Sequence, residues 1–79
     1  MPYILQSQRK LLDVTWEPQD LGELTYCLTK LCVRFAGPNP RYGTWAGILG
    51  ALAATDRELY RTKIGPYEQR QLELTGDVL

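Results

Sequence analysis

Six residues whose side chains suit an anionic, aromatic ligand fall within fourteen positions near the C-terminus. They are Arg57, Tyr60, Arg61, Lys63, Tyr67 and Arg70. Guanidinium groups bind phosphate through a planar fork of N–H donors, and tyrosine rings can stack on or hydrogen-bond to nucleobases. The residue types therefore predict a nucleotide-type binding site. The alternative is that the arginines only form surface ion pairs with Asp56, Glu58 or Glu68.

A run of small residues precedes these cations at helical spacing. The predicted packing face consists of Ala46, Gly50, Ala53 and Ala54, and it continues into Arg57 and Arg61. Small residues one turn apart let two helix backbones approach closely. In so short a chain we expect a second subunit to cover this face, so that arginines of both copies converge. The alternative is that another helix of the same chain covers it.

Several kinds of catalytic or metal site have no matching pattern in the sequence. The chain has no histidine, no Cys-x-x-Cys pair and no GxGxxG or Walker motif, and no two carboxylates stand out as an acid–base couple. We therefore expect no catalytic residue, no metal and no cofactor. Cys27 and Cys32 point about 140° apart on a helix and are expected to be buried free thiols.

One enzymatic alternative rests on Pro2. Removal of Met1 would leave a secondary amine that can act as a base, and the opening MPYI is somewhat similar to the start of the tautomerase family. Small members of that family need a strand–helix–strand unit. Residues 21–74 here predict helix throughout, so we favour a protein that is not an enzyme.

The N-terminal half predicts an arm followed by two helices. MPYILQ predicts an extended arm or a short strand before Ser7, which is expected to cap a helix over residues 8–14. TWEPQD ends that helix, and Trp16 is expected to cover the core. Asp20 and Glu23 predict a capping box for a helix over residues 21–36, which stops at Gly37-Pro38.

The C-terminal half predicts a loop and two further helices. GPNPRYG is expected to be a loop that leads to a helix from Thr44 to about Lys63. Gly65-Pro66 is expected to break the helix and turn the chain, so that a new helix over residues 66–74 brings Tyr67 and Arg70 back toward the other cations. The apolar face that is expected to pack on the helix of residues 21–36 comprises Trp45, Ile48, Leu49, Leu52 and Leu59.

Length and charge limit the wider class. A chain of 79 residues predicts one helical domain, residues 1–79, whose small core favours association into a homo-oligomer, a dimer or a tetramer. Nine cations balance nine anions, which argues against DNA as a partner. The fourteen uncharged residues between Arg41 and Asp56 are too few to span a membrane. With no signal-peptide pattern, we expect a cytoplasmic all-α protein, a small bundle of three to four helices with an extended N-terminal arm.

Three motifs together resemble a group of small uncharacterised proteins encoded by bacteriophages and scattered bacteria. The motifs are MPYI at the start, GELTYCLTKLC in the middle and RELYRTKIGPYEQRQLELTGDVL at the end. Members of that group carry a GELNY-type motif in the middle of the chain and YRR, PYE and NGDV-type motifs near its end. The sequence departs from that pattern at Thr62, Gln71, Thr75 and Leu79, and Thr62 replaces a second arginine beside the predicted phosphate site.

The resemblance implies a phage-encoded protein in a host cytoplasm. Small oligomeric phage proteins of this kind are often anti-defence factors, and one class sequesters cyclic dinucleotides or similar immune signals between subunits. By analogy, we expect a nucleotide sponge that binds its ligand without chemistry. The alternative is a protein-interaction module or inhibitor that docks on a host or phage protein.

Overall fold

The computed structural model describes residues 4–76, which are helical apart from short connections. In chain order the helices are α1 (Gln6–Thr15), α2 (Leu21–Ala36), α3 (Tyr42–Leu59) and α4 (Gly65–Thr75), with a π-helical turn (Tyr60–Ile64) between the last two. No strand occurs in this range. The predicted all-α class is therefore confirmed. The predicted arm lies mostly outside the described residues, as does Pro2; Leu5 has extended backbone dihedrals.

The chain divides into two compact units at Arg41–Tyr42. The first unit contains α1 and α2, and the second contains α3, the π turn and α4. Two predictions concern how these units are arranged together, namely the single domain and the packing of the α3 face on α2. Both stay predictions.

The first unit has a small core between α1 and α2. Ile4, Leu12 and Cys27 form it, and Leu12 is only 2% exposed. Trp16 packs against this cluster, as predicted. Trp16 also ends α1: its N–H donates to the Leu12 carbonyl at 2.9 Å and its φ of 55° lies in the left-handed region. That conformation is rare for a bulky residue, so it marks a strained position held by the surrounding packing.

The start of α1 differs from the prediction. The helix begins at Gln6, so Ser7 lies inside it and is not its cap. The Leu5 N–H donates instead to Oε1 of Gln8 at 2.7 Å, which satisfies one of the free amide groups at the helix start. Because burial of Ile4 fixes the chain just before this point, the helix can begin earlier than the serine suggests.

The predicted bounds of α2 are confirmed at both ends. The Asp20 carboxylate accepts the Glu23 N–H at 2.8 Å, and Gly37 ends the helix with a φ of 79°. The Glu23 carboxylate does not close the box on Asp20; it accepts the Gln19 N–H at 2.9 Å and the Gln8 side-chain amide at 2.8 Å. The buried Glu23 therefore ties both helices to the loop between them.

The largest correction concerns Gly65-Pro66, because the helix does not break there. Gly65 keeps right-handed helical dihedrals (φ −54°, ψ −50°), and its N–H bonds to the Tyr60 carbonyl five residues back. Proline has no N–H and its ring clashes with the carbonyl four residues earlier, so a wider turn relieves both problems without ending the helix. A Cβ at Gly65 would lie 3.3 Å from the Tyr60 oxygen, which explains the glycine.

The second unit is consequently one continuous helix over residues 42–75, about 50 Å long, which we call the long helix. It begins at Tyr42, two residues before the predicted start, and ends at Thr75, one residue after the predicted end. Among residues 4–76, no helix is long and apolar enough to cross a membrane.

Candidate functional site

The six predicted ligand-binding residues all lie on the long helix. Arg57 is in the last turn of α3, the next three are in the π turn, and Tyr67 and Arg70 are in α4. At a rise of about 1.5 Å per residue, Arg57 and Arg70 are roughly 20 Å apart along the axis. The predicted return of Tyr67 and Arg70 toward Tyr60 and Lys63 is therefore wrong, because the turn that would cause it is absent.

Tyr60 is already engaged with a carboxylate. Its hydroxyl donates to Oε2 of Glu68 at 2.7 Å, across the π turn. The hydrogen bond to Glu68 and the negative charge of Glu68 raise the pKa of Tyr60 above its ordinary value, because both favour the neutral phenol. The hydroxyl is thus held by the protein, while the ring remains half exposed.

Arg61 is also engaged. Its guanidinium donates from Nε and Nη2 to the two carboxylate oxygens of Glu58, one turn earlier. This pairing raises the pKa of Arg61 and leaves both side chains well exposed. For Arg61, the surface ion pair that the sequence left as an alternative is therefore present.

The remaining cations are not neutralised by neighbours. Arg57, Lys63 and Arg70 are exposed, and none of them has a hydrogen bond or ion pair within residues 4–76. Tyr67 is 56% exposed, so its ring is open to a partner. Three available cations and an open aromatic ring are the groups that an anionic, aromatic ligand requires.

A single long helix does not gather these groups on one side. Arg57 and Arg61 lie one turn apart, whereas Lys63, two residues further on, points to roughly the opposite side. One copy of the long helix can therefore contact a small anion with two of the cations at most. Binding through more than two of the cations would need a second helix.

The predicted packing face lies on the first half of the same helix. Ala46, Gly50, Ala53 and Ala54 are all exposed. A Cβ added at Gly50, or at the helical Gly43 and Gly47, would meet no atom within 4 Å. Each glycine in a helix interior costs about 0.5–1 kcal/mol relative to alanine. No contact within the described chain offsets that cost.

Sequence reasoning missed a second group of aromatic and cationic side chains, in the first unit. The Arg34 guanidinium lies 5.0 Å from the centroid of the Trp16 ring, and the Lys30 ammonium lies 5.9 Å from that of Tyr26. The Tyr26 hydroxyl donates to Asp13 at 2.8 Å, and this bond raises the pKa of Tyr26. The four-residue spacing of Tyr26, Lys30 and Arg34 is the sequence signal that could have indicated this row.

Two further features of the site chemistry concern cysteine and metal ions. Cys27 is buried and Cys32 half-buried, and both are free thiols, as predicted. Within residues 4–76, no cluster of three or more histidine, cysteine, aspartate or glutamate side chains could hold a metal ion.

Comparison with known protein families places almost the whole chain in one family. Residues 1–78 match the family described as "Domain of unknown function (DUF6899)", and the chain belongs to it. The chain has no significant match among curated proteins or among solved structures.

Proposed function

We propose that this member of the DUF6899 family is a non-enzymatic binding protein that self-associates through its long helix and sequesters a nucleotide-type ligand between subunits. The observation that carries the proposal is the continuation of the exposed small-residue face into Arg57. Ala46, Gly50 and Ala53 point to the same side of the helix as Arg57, and all four residues are exposed.

A parallel pair of long helices would gather the cations. Close approach at Gly50 and Ala53, about a two-fold axis that runs along the helices, would put Arg57 and Arg61 at the same level as their symmetry mates. Four guanidinium groups would then surround one position. An antiparallel pair would separate the two Arg57 side chains, so the proposal requires the parallel arrangement.

The ligand class follows from the same groups. Phosphates would bind between the arginines, and the open ring of Tyr67 would contact a base. Phosphate would have to compete with the Glu58 carboxylate for Arg61. An exposed ion pair contributes little to stability, so this exchange costs little. A cyclic dinucleotide, with two phosphates between two bases, suits a two-fold site.

The biological setting of the proposal comes from sequence resemblance alone. In that setting the protein is phage-encoded, works in the cytoplasm of the host and removes an immune signal before it activates antiviral effectors. The helices of the assembly would form a small bundle, as a dimer or a tetramer. Sequestration needs no chemistry and depends only on affinity and copy number.

Isothermal titration calorimetry against cyclic di- and trinucleotides tests the proposal. We expect Arg57→Gln to weaken binding by about a hundredfold, because the change removes one guanidinium from each subunit and each charge-assisted contact contributes about tenfold. Lys10→Gln removes an exposed cation from α1 and serves as the control. Absence of heat with every ligand, for an intact oligomer, would overturn the proposal.

A second candidate is a protein-interaction module, and a different observation favours it. Large apolar side chains on the long helix are exposed, among them Leu49 at 67% and Tyr42 at 89%. Exposed apolar surfaces are typical of proteins that bind other proteins. A stoichiometric protein recovered with the chain from infected cells, without a small molecule released on denaturation, would support this candidate over the first.

A further inference from the structure

The exposed side of α2 carries apolar residues at coiled-coil spacing. We call this stripe the α2 seam, and its members are Leu21, Leu24, Leu28, Leu31 and Phe35. Successive members are separated by three, four, three and four residues, which is the a/d pattern of a heptad. Their exposures are 80%, 41%, 43%, 58% and 79%.

The seam is distinct from the face that α2 presents to α1. The contacts with α1 and its flanking residues involve Glu23, Tyr26 and Cys27. A Cβ at Gly22 would lie 3.6 Å from Ile4, on this same face. Helix α2 therefore has one apolar side that α1 covers and another that faces outward.

We propose that a second copy of α2 packs antiparallel on the α2 seam. Two charged residues flank the seam: Asp20 lies just before the start of α2 and Arg34 lies near its end. In an antiparallel pair each acidic end meets a basic end. The two helix dipoles also point in opposite directions, which is the favourable arrangement. A parallel pair would place like charges together.

The heptad spacing defines a register for this pair. Leu21 lies opposite the partner subunit's Leu31, and Leu24 lies opposite the partner subunit's Leu28. Because the pair is two-fold symmetric, each of these two kinds of leucine layer occurs twice, which gives four layers in all. Asp20, two heptads before Arg34 on the same flank, then lies beside the partner subunit's Arg34.

Area and charge favour a second copy as the occupant. The exposed parts of the five seam side chains amount to roughly 500 Å² per chain, and a pair would bury about 1,000 Å², near the lower limit for a specific interface. A second copy also supplies charges that pair with Asp20 and Arg34 on the flank of the seam, which the uncharged residues 42–55 do not carry. This interface lies in the first unit and does not depend on the ligand site of the long helix.

Sedimentation equilibrium of the full chain over a range of concentrations tests the proposal. Leu28→Glu places charges at the centre of the seam, and we expect it to raise the dissociation constant of this dimer at least about tenfold. Val33→Glu is the matched control, since Val33 is a half-exposed apolar residue of α2 that lies off the seam. Leu28→Gln, a milder change, provides the same test if the glutamate variant loses helicity.

Equal association of the Leu28 and Val33 variants would overturn the proposal. So would a loss of thermal stability in the Leu28 variants with an unchanged mass, because another segment of the same chain would then cover the seam. The two proposals can fail independently. A variant can lose association through the α2 seam and still bind nucleotide, or lose nucleotide binding and still associate through the seam.

Spin labels on the full chain test the antiparallel orientation, in a Cys27→Ala, Cys32→Ser background. In the proposed pair, labels at Thr25→Cys lie close together, and labels at Ala36→Cys are about 30 Å apart. The distance between the two labels grows by about 3 Å for each residue between the label and the two-fold axis. Equal distances at the two positions would show a parallel pair and overturn the orientation.

Discussion

Carboxylates engage two of the six predicted ligand-binding residues of the long helix. Glu58 binds Arg61 and Glu68 binds Tyr60, whereas Arg57, Lys63 and Arg70 have no partner within residues 4–76. Residue types alone could not distinguish these two groups. The difference in partners gives two predictions at the scale of single residues.

Replacement of Glu58 by glutamine should strengthen nucleotide binding. The change frees the Arg61 guanidinium and removes a negative charge from the site, so we expect the affinity to rise roughly threefold to tenfold. Calorimetry with the ligand that binds the unmodified protein measures this. Glu73→Gln, which removes a charge from the last turn of the same helix, should change the affinity less. Weaker binding by the Glu58 variant would contradict the proposed role of Arg61.

Replacement of Glu68 by glutamine should lower the pKa of Tyr60 toward its ordinary value of 10.0. With Glu68 present, the raised pKa means that the Tyr60–Glu68 contact contributes to stability below pH 10 and is lost as pH rises through the shifted pKa. Ultraviolet titration of the phenols, as a difference between the two proteins, measures the change. Identical titration curves would show that the contact is absent in solution.

At the scale of elements, the π turn is what holds the candidate site on one helix. It accommodates Pro66 without ending the helix and brings Tyr60 into line with Glu68. In a regular α-helix, residues eight apart differ by about 80° in direction, so the same pair would not be aligned. The π turn therefore sets the position of α4 relative to the cations before it.

Replacement of Pro66 by alanine should convert the π turn into regular α-helix. We expect a higher thermal midpoint, since alanine restores the missing N–H, and a lower Tyr60 pKa, since the turn to α4 moves Glu68 away. Circular dichroism and the phenol titration follow the two effects. Pro18→Ala, in the loop before α2, is the control. A Tyr60 pKa unchanged by Pro66→Ala would contradict this account of the π turn.

The core of the first unit should be sensitive to one residue. Leu12→Ala removes the most buried core side chain, and we expect it to destabilise α1 against α2 by about 2–3 kcal/mol. Leu11→Ala, at an exposed position beside it, should have little effect. Chemical denaturation monitored by tryptophan fluorescence, in a Trp45→Phe background that leaves Trp16 as the fluorophore, reports on this unit because Trp16 covers the core. Equal effects of the two changes would contradict the core assignment.

The elements also show what the sequence could and could not predict. The bounds of α2 were predictable because Asp20 starts the helix and Gly37 ends it, each through contacts with the local backbone. Gly65-Pro66 is a strong local stop signal, but the sequence did not reveal that a wider turn relieves the proline. The site residues were identifiable by type. Their partners were not, because the bond between Tyr60 and Glu68 depends on that turn.

At the scale of the whole molecule, the proposed association would account for features that a single chain leaves without a reason. Three helical glycines have open space where a side chain would be, and the seam leucines of α2 face outward. A chain with two different two-fold interfaces can close into a tetramer with dihedral symmetry.

Gly50→Leu tests the long-helix interface at this scale. The side chain would keep the two helices apart, so we expect loss of that association and of nucleotide binding together, while helicity rises because glycine is a poor helix former. Light scattering and calorimetry on the same sample measure both. Gly43→Leu, near the helix start, is the control. Unchanged mass and binding in the Gly50 variant would contradict the proposed contact.

The most direct test is native mass spectrometry of the full chain with a cyclic dinucleotide added. The account predicts an assembly whose mass is an even multiple of the 9.0 kDa subunit, with one ligand for each pair of chains. A bare 9.0 kDa monomer that takes up no ligand would contradict both the self-association and the binding site between subunits.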